Sequence, residues 1–238
     1  MSSLKAKTLA RLREQMRRLE KPGFADRPLL EFGDPVIDDA LPGGGLAAGC
    51  LHEISGLLDD AAAYGLAAWM LGRLMAEQGI ALWCRPGRLR RLMPYGPGLA
   101  RFGLPTERLL FARTGAAVDT LWAMEEALRS GRFAAVLGEG PADLTATRRL
   151  QLAAEGGGTT ALLLSFAKPG SGRHLSAATT RWRVASLPAG QPGVSRWQVG
   201  LERCRGGDPG TWALAWDHET LRLDIAPDLG DGLLAPAV

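Results

Sequence analysis

The stretch Cys50-Leu51-His52-Glu53-Ile54-Ser55-Gly56-Leu57-Leu58-Asp59-Asp60-Ala61-Ala62-Ala63 has the frame of a phosphate-binding loop without its chemistry. An apolar run ending in Gly56 reads as a buried strand. The segment that follows, to Gln78, repeats Ala62, Leu66, Trp69, Met70 and Leu74 at helical spacing. In a strand–glycine turn–helix unit, backbone amides and the helix N-terminus hold phosphates, a Lys reaches the outer ones and a Ser/Thr holds Mg²⁺. Counted from Gly56, the pattern G-x-x-x-x-G-K-[ST] puts Ala61, Ala62 and Ala63 where the second Gly, the Lys and the Ser/Thr belong. Asp59 and Asp60 are well placed to cap the helix. The same carboxylates would repel a triphosphate by roughly 1–4 kcal/mol each. The expectation is a surviving frame with no nucleotide site, no cofactor and no metal.

Other reactive residue types give no constellation. His52, His174 and His218 are isolated, with no HxxxH or HExxH pair. Cys50, Cys84 and Cys204 form no CxxC, so neither a disulfide framework nor a zinc site is indicated. Ser55-Gly56 lacks the GxSxG elbow, and no carboxylate pair sits in an acid/base motif. His52 on an apolar strand reads as a satisfied core or turn residue, and the run Pro42-Gly43-Gly44-Gly45-Leu46 as a structural turn. The chain is therefore expected not to be an enzyme.

The elements around this frame sort into three parts. Residues 1–22 read as a basic amphipathic helix: Leu9, Leu12, Met16 and Leu19 form a narrow stripe among Lys5, Lys7, Arg11, Arg13, Arg17, Arg18 and Lys21, stopped by Pro22-Gly23. That stripe suits docking on another surface as well as on its own domain. Residues 23–226 read as one α/β domain. Strands at Ile80–Cys84, Leu109–Arg113, Phe133–Leu137 and Thr159–Phe166 alternate with helices around Val118–Leu128 and Leu144–Ala154, which predicts a mostly parallel sheet covered on both faces. From Arg181 the pattern turns to period-two alternation, at Arg181–Leu187, Val194–Arg203, Thr211–Trp216 and Thr220–Ile225, predicting antiparallel strands with Trp197, Trp212 and Trp216 in the core. Residues 227–238, with Pro227, Gly230, Gly232 and Pro236, are expected to be flexible.

The net charge of +3 over 238 residues is modest but clustered. Arg85, Arg88, Arg90, Arg91, Arg101 and Arg113 could form a basic face for phosphates or an acidic partner, or a merely solvated one. The charged N-terminus has no apolar signal region, and no apolar run approaches a membrane span, so a cytoplasmic protein is expected.

Val36-Ile37-Asp38-Asp39-Ala40-Leu41-Pro42-Gly43-Gly44-Gly45-Leu46 leading into Leu51–Gly56 resembles the RecA family just before its phosphate loop. Trp197–Arg205, Gly206–Gly210 and Trp212–Trp216 resemble that family's C-terminal hairpin, so the likeness runs from about Leu29 to Ile225. Within it the chain looks most like the ImuA proteins of damage-inducible mutagenesis, with SulA-type division inhibitors a related branch. The resemblance implies a RecA-like fold with the active site lost piecemeal. Gly138 stands for the Mg²⁺-associated Asp, with Glu139 beside it lacking any Lys or metal partner. The catalytic Glu falls near Pro86, and Ala167 or Lys168 replaces the phosphate-sensing Gln. It further implies a non-catalytic adaptor in SOS-induced translesion synthesis. Its partners would be an ImuB-type polymerase-like protein, through it an error-prone C-family polymerase, and RecA. The stripe Leu9, Leu12, Met16 and Leu19 is the first candidate contact. Arg85, Arg88, Arg90, Arg91, Lys168 and Arg173 are candidates for weak DNA binding or an acidic partner. No clamp-binding pentapeptide begins at any Gln. Two alternatives stand beside this one: a SulA-like inhibitor acting on FtsZ, and a nucleotide-binding RecA-like ATPase.

Overall fold

A computed structural model describes residues 27–75, 78–87, 93–167, 175–188 and 190–226. The N-terminal stripe, the arginines at 88, 90 and 91, Lys168, Arg173 and the tail from 227 lie outside these residues. A short entry comes first: β1 (Leu29–Leu30), α1 (Pro35–Asp38) and β2 (Leu46–Ala47), with β1 and β2 paired antiparallel. The glycine run between α1 and β2 is a turn, as expected. Gly43 and Gly44 sit at φ +82° and +88°, a region side chains disfavour.

The main sheet has nine strands in the order β11-β10-β9-β8-β3-β7-β6-β4-β5. These are β3 (Leu51–Leu57), β4 (Ala81–Pro86), β5 (Leu109–Thr114), β6 (Ala135–Glu139), β7 (Thr160–Ala167), β8 (Thr180–Ser186), β9 (Val194–Cys204), β10 (Gly210–Asp217) and β11 (Arg222–Ile225). From β8 to β5 every neighbouring pair is parallel, and β8-β9, β9-β10 and β10-β11 are antiparallel. The C-terminal alternation predicted antiparallel pairing from Arg181 onward. β8 departs from this, because it crosses from β7 to the far side of β3 and joins the parallel set there, Ile54 opposite Trp182. Only its other edge is antiparallel.

Helix α2 (Ala62–Met75) covers one face, and α4 (Ala117–Ser130) and α5 (Leu144–Gly157) cover the other; a short α3 (Gly96–Ala100) precedes β5. Alternate strand residues feed the two layers, as the pleat dictates. Ile54, Trp83, Leu137, Leu162 and Leu164 pack with α2. Leu51, Cys84, Val136, Ala161 and Leu163 pack with Met124, Leu128 and Leu150 of α4 and α5. Trp197 and Trp216 are buried, and Trp212 packs partly buried against the same core. Helix α2 lies close to its neighbours because two of its residues lack side chains. A β-carbon at Gly65 would meet the Trp197 ring at 2.6 Å, and one at Gly72 the Gly103 carbonyl at 2.7 Å. Among the described residues no helix is long and apolar enough to cross a membrane.

Candidate functional site

In open parallel sheets ligands bind beyond the carboxyl ends of the strands. Here the ends of β3, β4, β6 and β7, with the first turns of α2, form that place, and the protein's own side chains fill it. Strand β3 runs one residue past Gly56, and the turn at Leu58–Asp59 leads into α2. Asp59 is exposed in that turn. Asp60 does the capping, accepting the Ala62 amide at 2.9 Å. It also ties α2 to the end of β8, accepting the Ser186 amide at 2.7 Å and the Ser186 hydroxyl at 2.5 Å. Partial burial pushes its carboxyl upward, but the hydrogen bonds from Ser186 and Ala62 outweigh this and hold it below the usual carboxylate range.

Ala61 is exposed, but Ala62 and Ala63 are buried at 2% and 0%. A β-carbon on Gly56 would come within 2.7 Å of the Ala63 methyl, so strand and helix close on one another where a phosphate would otherwise lie. The next residue, Tyr64, reaches across the strand ends. Its ring lies 4.9 Å from Phe166 and 6.3 Å from Trp83, which in turn stacks on Phe111 at 5.7 Å.

Under this aromatic cover sits Glu139, 2% exposed. Strand β6 runs two residues further than its apolar pattern predicts, so Glu139 ends the strand inside the sheet and not in the loop after it. Oε1 accepts from Trp83 Nε1 at 2.7 Å and from Arg85 Nε at 2.5 Å; Oε2 accepts from the Tyr64 hydroxyl at 3.0 Å and from Arg85 Nη2 at 3.3 Å. Four donors use up the acceptor capacity of a carboxylate, leaving no lone pair for Mg²⁺ or a water to be activated. Burial, then the Glu139 charge, pushes the Tyr64 phenol well above its ordinary value, so it stays a donor.

One expectation changes here, that for Arg85. Glu139 was expected to lack a Lys or metal partner; the partner it has is an arginine, Arg85, because β4 and β6 are neighbours with Cys84 opposite Gly138. Arg85, expected on a basic outer face, is turned inward with 6% of its side chain exposed and held by that carboxylate. Arg101 and Arg113 do remain exposed. Gly138 is more than a missing Asp. A β-carbon there would meet Met124 Sδ at 1.9 Å, so a side chain from α4 already occupies the space.

His52 is fully buried and satisfied, as its place on an apolar strand suggested. The Ala47 carbonyl can only accept, so His52 Nε2 carries the proton, at 2.9 Å. Nδ1 therefore accepts from the Thr180 hydroxyl at 2.8 Å, which itself accepts from Trp182 Nε1 at 2.7 Å. Burial lowers the imidazole pKa to about 4, too low for a base that takes up a proton near neutral pH. Among the described residues no group of His, Cys, Asp and Glu is placed to hold a metal ion.

No family model matches the chain. Over 207 residues it is 40% identical to Protein ImuA of Caulobacter vibrioides strain NA1000 / CB15N, an alignment covering 79% of this chain and 83% of that protein. Protein ImuA of strain ATCC 19089 / CIP 103742 / CB 15 gives the same figures. Over 90 residues the chain is 37% identical to Cell division inhibitor SulA of Edwardsiella piscicida, covering 37% of this chain and 51% of that protein. The identity to ImuA extends over most of both chains, well beyond the filled loop and its strand ends, and so the chain belongs to the ImuA family.

Proposed function

We propose that the protein is a non-catalytic RecA-like adaptor in SOS-induced translesion DNA synthesis and mutagenesis. One observation carries the non-catalytic part. The place for a nucleotide is taken by Ala63 against Gly56 and by the Tyr64–Glu139–Arg85–Trp83 network, each Glu139 oxygen accepting two hydrogen bonds. With that pocket closed, outer surfaces are the working parts. Membership of the ImuA family supports the cellular setting, with an ImuB-type polymerase-like protein as first partner, RecA as second, and an error-prone C-family polymerase reached through the first. The contact on this chain is the stripe Leu9, Leu12, Met16 and Leu19.

Titration calorimetry with ATP and Mg²⁺ tests the closed pocket, and no heat of binding is expected. Micromolar binding would sink the reading and restore the ATPase alternative. Pull-down of the ImuB-type protein and RecA by full-length protein and by Leu12→Asp or Met16→Asp tests the contact, and unchanged capture by the variants would refute it.

The match to a cell division inhibitor over 90 residues favours a second reading, action on FtsZ. Inhibition of FtsZ polymerisation by the purified protein would establish that reading in place of the first.

A further inference from the structure

Helices that cover a sheet normally turn polar residues outward. On the outer side of α4 and α5, large apolar side chains stand in the open instead. Val118 and Trp122, one turn apart on α4, are 70% and 61% exposed, and Leu152 of α5 is 59% exposed. Between the two helices lies a cleft of about 390 Å³, walled by Glu125 and Arg129 of α4 and by Arg149, Leu152 and Gly156 of α5. Trp122 precedes Glu125 by one turn and Arg129 by two, so it continues the α4 wall beyond the cleft.

Missing side chains shape the floor. Glycine is a poor helix former, yet α5 ends in Gly156 and Gly157. Gly157 has an internal reason, since a β-carbon there would run into the Leu128 carbonyl and hold α4 and α5 apart. Gly156 has no such reason. Among the described residues a β-carbon there would meet nothing within 4 Å, and the open space is the cleft itself. The chain forgoes helix stability at a position where none of its own described side chains uses the room.

Charge decides what fits. Glu125 is 3% exposed and is held by Arg129 and, at 2.5 Å, by Arg149. Its charge is turned inward, whereas the two guanidiniums that hold it belong to side chains 58% and 59% exposed. Glu126, half exposed, takes one edge of Arg129 at 2.9 Å. Exposed Arg132 follows Gly131, which packs on Gly157. Three arginines therefore stand against two glutamates, one of them buried. Glu155 faces elsewhere, accepting from Gln151, whose oxygen holds the Leu51 amide of β3. The Ala127 and Leu128 carbonyls at the end of α4 are covered by the Ser130 hydroxyl and the Gly131 amide, so the guanidiniums set the sign of the field.

Apolar walls with an outward excess of guanidinium suit an acidic segment that carries large apolar side chains. We propose that the α4–α5 cleft is a docking site for such a segment of a partner protein. An apolar side chain lies over Gly156 beside Leu152, and flanking carboxylates meet Arg149 and Arg129. A guanidinium has five donors, more than Glu125 and Glu126 take, and pairs with carboxylates in a bidentate fork. This surface lies wholly on the described domain, and it goes beyond the adaptor reading without resting on it.

The probe is a fluorescein-labelled hexapeptide, a Leu-Phe pair with two aspartates on either side, titrated with the full chain and followed by anisotropy. Saturable binding is expected, and a counterpart with lysines for the aspartates should not bind. Gly156→Leu fills the cleft with the protein's own side chain. It should resist urea at least as well as the parent and bind the peptide at least about tenfold more weakly. Leu152→Asp, at an exposed position, should also weaken binding by repelling the aspartates. Arg149→Gln should weaken it about fivefold, the upper end for an exposed ion pair, while Arg129 still holds Glu125. The unlabelled peptide should shift the emission of Trp122, the most exposed of the seven tryptophans, and Trp122→Phe should abolish that shift. Absence of saturable binding, equal binding of the lysine peptide, or unchanged binding by both Gly156→Leu and Leu152→Asp overturns the proposal. A single-stranded oligonucleotide that displaces the peptide would assign the cleft to nucleic acid, and a dimer that Gly156→Leu dissolves would assign it to a second copy; either result also overturns it.

Discussion

The buried Arg85–Glu139 pair makes a sharp quantitative prediction. Glu139→Gln keeps the side-chain shape and removes the charge. The amide oxygen can serve Trp83 and Arg85 Nε, but the amide nitrogen then faces Arg85 Nη2 and the Tyr64 hydroxyl, both donors in the native network. Removing one member of a buried pair costs about 3–5 kcal/mol, because the other charge keeps its desolvation penalty without its counter-ion. A loss of about 3 kcal/mol or more is therefore expected for Glu139→Gln. Tyr64→Phe removes one donor of four and keeps the ring against Phe166 and Trp83, so it should cost only about 1 kcal/mol. Replacing both charges, Arg85→Met with Glu139→Leu, should leave a protein more stable than either single variant, since no lone buried charge remains. Urea unfolding followed by tryptophan fluorescence, with the slope checked for constancy, gives these differences. A Glu139→Gln variant within about 0.5 kcal/mol of the parent, or a double replacement no more stable than Arg85→Met or Glu139→Leu alone, would refute the account of the pocket as filled by one interdependent network.

His52 predicts an acid-sensitive stability. The unfolded imidazole binds its proton near pH 6.5 and the folded one only near 4, so between these values the unfolded state carries more protons. Stability present above pH 6.5 should fall as pH drops toward 4, by about 3 kcal/mol in all. His52→Gln, compared with the parent across that range, should flatten the curve. Gly138→Ala should cost about 1–3 kcal/mol through its clash with Met124, and its cost should be smaller when measured in a Met124→Ala background on the same urea scale. Leu221, at the turn between β10 and β11, holds φ +54°. Leu221→Gly should raise the melting temperature by relieving about 1 kcal/mol of backbone strain, and an unchanged or lower value would show that the side chain contributes more than the strain costs.

The sequence by itself determined the layers, most strand positions and the absence of the phosphate-loop residues after Gly56. These rest on local properties: period-two and period-3.6 patterning, and three alanines read directly against a motif. Ala61, Ala62 and Ala63 needed no neighbour to be interpreted. Tertiary structure alone decided what fills the space beyond the ends of β3, β4 and β6. Tyr64, Trp83, Arg85 and Glu139 span 75 residues of chain and meet only because β4 and β6 lie side by side with α2 above them. Charge patterning shows an arginine but not the direction it faces, and so Arg85 looked like surface. The same holds for β8, whose alternation cannot show which strand lies on each side. Periodicity records which residues share a face, whereas the fold determines what that face meets, because contact energies depend on neighbours brought together across the sheet.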